Sequence, residues 1–157
     1  MDVKQIPLNN LADWKKDGEA IYHEARKYFS VIAVRAEIGN REVHSWTQPL
    51  VKSAQEGLIA FIIKEINGVY HFLVQAKLES GNFDIIELAP TVQCLTGNYR
   101  KGKNEYEVDF IDYVLNPDKN NATVLHSSFQ SEEGGRFYRE QNKNMIIEVG
   151  DDFDVNV

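Results

Sequence analysis

Gln75, Lys77 and Glu79 stand two residues apart in the run Leu73-Val74-Gln75-Ala76-Lys77-Leu78-Glu79, placing an amide, an ammonium and a carboxylate inside an apolar strand pattern. Thr91 and Gln93 follow Pro90 in a second alternating run, Asn98-Tyr99-Arg100 comes next, and Gln48 lies between Trp46 and the stiff Pro49. Burying an unpaired amide or charge costs roughly 1–3 kcal/mol or more. A chain that tolerates several such groups close together has a ligand for them to hold, and these groups are expected to converge on one hollow. Side chains alternate along a strand, so Gln75, Lys77 and Glu79 share one face and Val74, Ala76 and Leu78 take the other. The apolar face is expected at the core, leaving the polar row to a cleft; a solvated strand face accounts for the same row. Gly81-Asn82 next to it has the composition of a turn. Gln130 and Ser131 stand at the mouth of an expected late helix, where backbone N–H groups serve either a Ser cap or a bound anion.

Other chemistries find less support. His23, His44, His71 and His126 have no metal-ligand spacing, and no GxSxG elbow, phosphate loop or GxGxxG fingerprint is present. Cys94 is a lone cysteine, which reads as a structural thiol and places the chain in a reducing cytoplasm. The net charge of −7 opposes a broad nucleic-acid or anionic-membrane surface. It still allows a phosphate-bearing small molecule. No apolar run approaches the ~20 residues that cross a bilayer, and Met1-Asp2-Val3-Lys4-Gln5 lacks the layout of a signal peptide. At 157 residues, 43% hydrophobic and 26% charged, the chain is expected to form one domain, with neither metal nor organic cofactor.

These groups need a sheet to hold them. Leu11, Trp14, Ile21, Ala25 and Tyr28 recur at near-helical spacing behind a cap at Asn9 or Asn10, with Gly18 as a break. Residues 29–37 alternate as a strand closed by Gly39-Asn40, and 46–51 are extended, with Pro49 placing them at a sheet edge or in a loop. Residues 57–65 and 69–78 form a hairpin through Asn67-Gly68. Residues 84–88 are a short strand closed by Pro90, 106–115 are strand or helix, 116–121 a polar loop and 122–129 a strand. A helix is expected over 131–141, with Glu132 and Glu133 in its first turn, then a last strand over 145–149. The fold class is α+β: a mostly antiparallel sheet with two or three helices packed on it.

The order of these segments resembles the nucleotide-diphosphate-hexose 2,3-dehydratases of deoxysugar biosynthesis. The likeness runs from Ile6-Pro7-Leu8, Leu11 and Trp14 through Tyr28-Phe29-Ser30-Val31, Arg41-Glu42-Val43, Trp46, Gln48 and Pro49. It is densest across Gln75-Ala76-Lys77, Glu79 with Gly81-Asn82, Pro90-Thr91-Val92-Gln93 and Asn98-Tyr99. It resumes at Gln130-Ser131-Glu132, Gly134, Phe137, Asn142, Asn144 and Met145. Family members typically carry two such units, each similar to the Nudix hydrolase fold without its metal-binding box. Two departures stand out. Ser80 replaces the proline of the family's usual Glu-Pro-Gly-Asn, and Arg100-Lys101-Gly102-Lys103 runs where the family has a His.

The resemblance implies elimination of water across carbons 2 and 3 of a dTDP-linked 4-keto-6-deoxyhexose, with no cofactor. Such chemistry needs a base for the carbon 3 proton, donors for the enolate oxygen and an acid for the leaving hydroxyl. On the matched motifs Glu79 would be the base, a carboxylate deprived of water being the stronger base. Tyr99 would be the acid, and Lys77 with Gln75 would hold the enolate oxygen. Trp46 would stack on thymine and Arg100 or Arg136 would meet the diphosphate. Gln48, Asn82, Thr91, Gln93, Asn98, Gln130 and Asn144 complete the expected substrate-binding set. One unit in place of two implies pairing as a homodimer. The alternative is a non-catalytic nucleotide-sugar-binding module or a subunit of a dehydratase.

Overall fold

A computed structural model describes residues 1–96 and 108–155. Its chain divides into two compact units: one of residues 1–3, 56–130 and 142–157, the other of residues 4–55 and 131–141. No helix among the described residues is long and apolar enough to cross a membrane.

The second unit is built on a four-stranded antiparallel sheet in chain order, β1 (Trp14–Lys16), β2 (Ala20–His23), β3 (Ser30–Glu37) and β4 (Ser45–Lys52). Pro49 lies on β4, an edge strand, where its missing N–H costs no ladder bond. The helix expected across Leu11 to Tyr28 is replaced by the β1–β2 hairpin. Asp17 makes the difference: its carboxylate accepts from the backbone N–H groups of Glu19 and Ala20, both at 2.8 Å, and so closes a turn. Trp14 then faces His23 across the pair and packs on Phe29, ring centroids 5.1 Å apart.

The first unit carries a six-stranded sheet. Its strands are β5 (Gly57–Ile66), β6 (Val69–Leu78), β7 (Ile86–Pro90), β8 (Val92–Leu95), β9 (Ala122–Ser131) and β10 (Gln141–Val149). The order is β7-β6-β5-β10-β9, with β8 also paired to β5. The Asn67-Gly68 hairpin forms as expected, with φ of 54° and 77° at its two turn residues. β10 runs parallel to β5. A side chain at Gly57 would run into the Asn142 carboxamide of that partner, which would have to move aside. Leu58, Ala60 and Ile62 of β5, Val92 of β8 and Met145, Ile147 and Val149 of β10 form the buried core. Val114 of the short helix α1 (Ile111–Leu115) joins them.

Helix is scarcer than the α+β reading implied. Besides α1, the described residues hold 3-10 turns at Leu8–Asn10 and Pro117–Asn120. The helix expected over 131–141 is a single turn, with Phe137 N–H donating to the Glu133 carbonyl at 2.9 Å. Gly134-Gly135 explains this, since each glycine weakens a helix interior by about 1 kcal/mol. β9 and β10 each extend into the residues flanking that turn. The architecture is thus sheet-rich and mixed.

Candidate functional site

The polar residues of β6 mark the place where the sheet splits. β5 pairs with β6 from Ile62↔Leu73 to Ile66↔Val69, but its first half pairs with β8, Gly57↔Leu95 to Ala60↔Val92. Beyond Leu73, β6 leaves β5 and pairs with β7 instead, Val74↔Pro90 to Leu78↔Ile86. Thr91 sits in the crotch of this fork, 5% exposed. Its hydroxyl accepts from Ile62 N–H at 2.9 Å and donates to the Leu73 carbonyl, so one side chain replaces a rung of the ladder.

Gln75 and Lys77 tie the two prongs together. Gln75 Nε2 donates to the carbonyls of Pro90 at 2.9 Å and Thr91 at 3.5 Å. Lys77 Nζ reaches the Gln93 carbonyl and Gln93 Oε1, both at 3.3 Å, and forms an ion pair with Glu79 at 2.9 Å. Three donors thus meet three acceptors. Leu73, Gln75 and Lys77 are half-buried, whereas Val74, Ala76 and Leu78 are exposed. This reverses the expected orientation of β6: the polar row faces inward, where Gln75 and Lys77 donate to the backbone carbonyls of Pro90, Thr91 and Gln93.

Between the prongs lies a hollow of about 520 Å³, walled by Gln75, Thr91, Gln93 and Cys94 together with Asp109 and Phe110. Burial pushes the Cys94 thiol above its ordinary range, while the Lys77 ammonium partly opposes that shift. The fork thus brings together four expected residues, Gln75, Lys77, Thr91 and Gln93, with Glu79 beside them. Glu79 is not in a desolvated cleft; its side chain is 53% exposed and ion-paired. Gln75, expected as an enolate donor, has its Nε2 directed at two backbone carbonyls. Asp109 is a carboxylate in the wall that sequence reasoning missed, and no motif around it offered a signal.

The remaining expected residues fall elsewhere. Asn82 closes a turn through its backbone N–H to the Glu79 carbonyl at 3.3 Å. Asn144 donates to the Asn142 carbonyl at 3.0 Å; it pairs with Ile59, which also faces Gln93 in the register. Gln130 is exposed near the end of β9, not at the mouth of a helix. Asn98, Tyr99 and Arg100 lie outside the described residues. Within the second unit, Trp46 Nε1 donates to Gln48 Oε1 at 2.6 Å, and Gln48 Nε2 to the Gly135 carbonyl at 2.8 Å, so the indole is held in place. Trp46 borders a hollow of about 620 Å³ with Asn40, Arg41, Glu42 and Val43. Arg136 pairs with Glu133 at 3.0 Å. Of the expected residues, Gln75, Thr91 and Gln93 wall the fork hollow and Trp46 borders the other, whereas Gln48, Lys77, Glu79, Asn82, Gln130, Arg136 and Asn144 belong to neither lining.

A family described as NDP-hexose 2,3-dehydratase matches residues 1–157. Three curated proteins named dTDP-4-dehydro-6-deoxy-alpha-D-glucopyranose 2,3-dehydratase are similar to the chain. The one from Saccharopolyspora spinosa is 45% identical, over 95% of this chain and 30% of that protein. The one from Amycolatopsis orientalis is 41% identical, over 97% and 32%. The one from Streptomyces violaceoruber is 42% identical, over 97% and 34%. The chain thus spans about a third of the length of the curated relatives it matches.

Proposed function

The chain belongs to the NDP-hexose 2,3-dehydratase family, and from that premise we propose that it removes water across carbons 2 and 3 of a dTDP-linked 4-keto-6-deoxyhexose. The observation that carries the reading is the family match across all 157 residues. The fork hollow supports it by supplying polar groups inside an apolar sheet.

The chemistry follows from the substrate. The ketone at carbon 4 acidifies the carbon 3 proton, which Glu79 accepts. The enolate expels the carbon 2 hydroxyl, which leaves as water once protonated, and the resulting enol relaxes to a 3,4-diketo sugar. Lys77 stabilises the enolate oxygen by releasing one of its three present acceptors. Tyr99 protonates the leaving hydroxyl. Within the second unit, the fixed Trp46 indole offers a stacking face to a nucleobase.

The test is incubation with dTDP-4-keto-6-deoxyglucose without added metal, following loss of one water by mass spectrometry. Turnover supports the dehydratase. Binding of dTDP without turnover instead identifies a binding module, and metal-dependent phosphate release identifies a hydrolase. Glu79→Gln is expected to lower turnover roughly 10²–10⁴-fold; turnover at the parent rate removes Glu79 as the base.

We also propose that residues 1–157 act as one functional domain of Nudix-like sheet architecture, working as a homodimer in the cytoplasm. The family match runs unbroken through both compact units, which supports the single domain. The six-stranded sheet, with α1 contributing to its core, supports the architecture. The uncovered apolar residues of β6 and β7 support the dimer, and free Cys94 suits a reducing compartment.

A further inference from the structure

The polar groups around the fork hollow have fixed directions. Both partners of Gln75 Nε2, the carbonyls of Pro90 and Thr91, can only accept. The amide is therefore oriented, and its Oε1 remains an acceptor with no donor among the described residues. Asp109 in the same wall adds a carboxylate, acceptor-only when ionised. Gln93 is the opposite case: its Oε1 accepts from Lys77, leaving the Nε2 hydrogens as donors. The Lys77 ammonium nearby has its three hydrogens engaged by Gln93 and Glu79.

A phosphate group brings acceptor oxygens and negative charge, and would meet the acceptors Gln75 Oε1 and Asp109 in the wall, while the Lys77 ammonium is not part of the hollow's lining. A hydroxyl both donates and accepts, so it suits either kind of neighbour. We propose that the fork hollow is a hydroxyl-reading site: it takes the ring hydroxyls of an uncharged hexose, with Gln75 and Asp109 accepting and Gln93 donating, and it excludes phosphate. This rests on the reading that the ligand is a nucleotide-linked hexose, and it makes the sugar end the part held at the fork. The hollow's 520 Å³ lies within the ≈ 300–1,000 Å³ of small-molecule sites.

Calorimetric titration of the full chain with dTDP-glucose, its 2-deoxy and 3-deoxy counterparts and dTDP alone tests this. Gln93→Leu and Asp109→Ala are each expected to weaken dTDP-glucose about tenfold and leave the Kd for dTDP unchanged. Against at least one deoxy sugar the variants should no longer differ from the parent. Gln75→Leu should behave alike; if it fails to fold, the other two variants carry the test. Equal losses for dTDP and dTDP-glucose, no loss for either, or a parent chain that fails to distinguish the two would overturn the proposal. The functional reading fails by a different sign: no water lost from the 4-keto substrate while hydroxyl discrimination persists.

Discussion

Where β5 and β6 part, the Ile62 N–H and the Leu73 carbonyl would be left without a strand partner. The Thr91 hydroxyl serves both, accepting from one and donating to the other. Valine has the same shape without the hydroxyl, so Thr91→Val strands two buried backbone groups at about 1–3 kcal/mol each. Urea unfolding should show a loss of about 2–6 kcal/mol for Thr91→Val and a much smaller loss for Thr91→Ser. Cys94, one strand position from Gln93, reports on the same place. Burial holds its thiol above the ordinary range and Lys77 pulls the other way. The thiolate fraction should therefore rise later with pH than in a free thiol, and removing the ammonium should delay it further. Alkylation by iodoacetamide followed against pH is expected to shift upward in Lys77→Met; an unchanged profile would mean the ammonium does not act on Cys94.

The β1–β2 turn is held by one carboxylate, and it titrates. Backbone N–H groups of Glu19 and then Ala20 hold Asp17 below the usual carboxylate range. A depressed folded-state value means the stabilisation is present above the unfolded value of about 3.9 and is lost as pH falls through the folded one. Amide exchange of the 14–23 hairpin should thus loosen selectively in acid, and Asp17→Ala should abolish that pH dependence. The same turn shows what the sequence made legible. Asn67-Gly68 declared its hairpin because two adjacent left-handed residues admit few other turns. Asp17-Gly18 carries similar chemistry, yet Leu11, Trp14, Ile21 and Ala25 happen to satisfy a helical period, and the longer pattern prevailed. The polar row on β6 was readable as a candidate site. Its inward direction was not, because that depends on the pairing exchange at Thr91, which no local pattern encodes. Asp109 was invisible for the same reason: only tertiary packing brings it to the fork.

At the scale of the molecule, the reversed β6 has a consequence on its other face. Paired residues of neighbouring strands share a face, and the register sets Ala76 beside Leu88 and Leu78 beside Ile86. Phe72 at 52%, Leu78 at 55%, Ile86 at 57% and Leu88 at 79% exposure leave this surface uncovered. With Tyr70 and Val74 it amounts to about 600 Å², at the upper end of what monomers expose. A standard interface takes about 800 Å² from each partner, so this patch could form the apolar centre of one with a polar rim around it. In the proposed homodimer a two-fold axis would set the patch against its own copy. Sedimentation equilibrium at micromolar concentration should then report a dimer. Leu78→Glu combined with Leu88→Glu should give a monomer whose folding stability changes by no more than about 0.5 kcal/mol per site, as for other exposed positions. A monomeric parent chain would remove the homodimer, and a dimer indifferent to both charges would place its interface on another face.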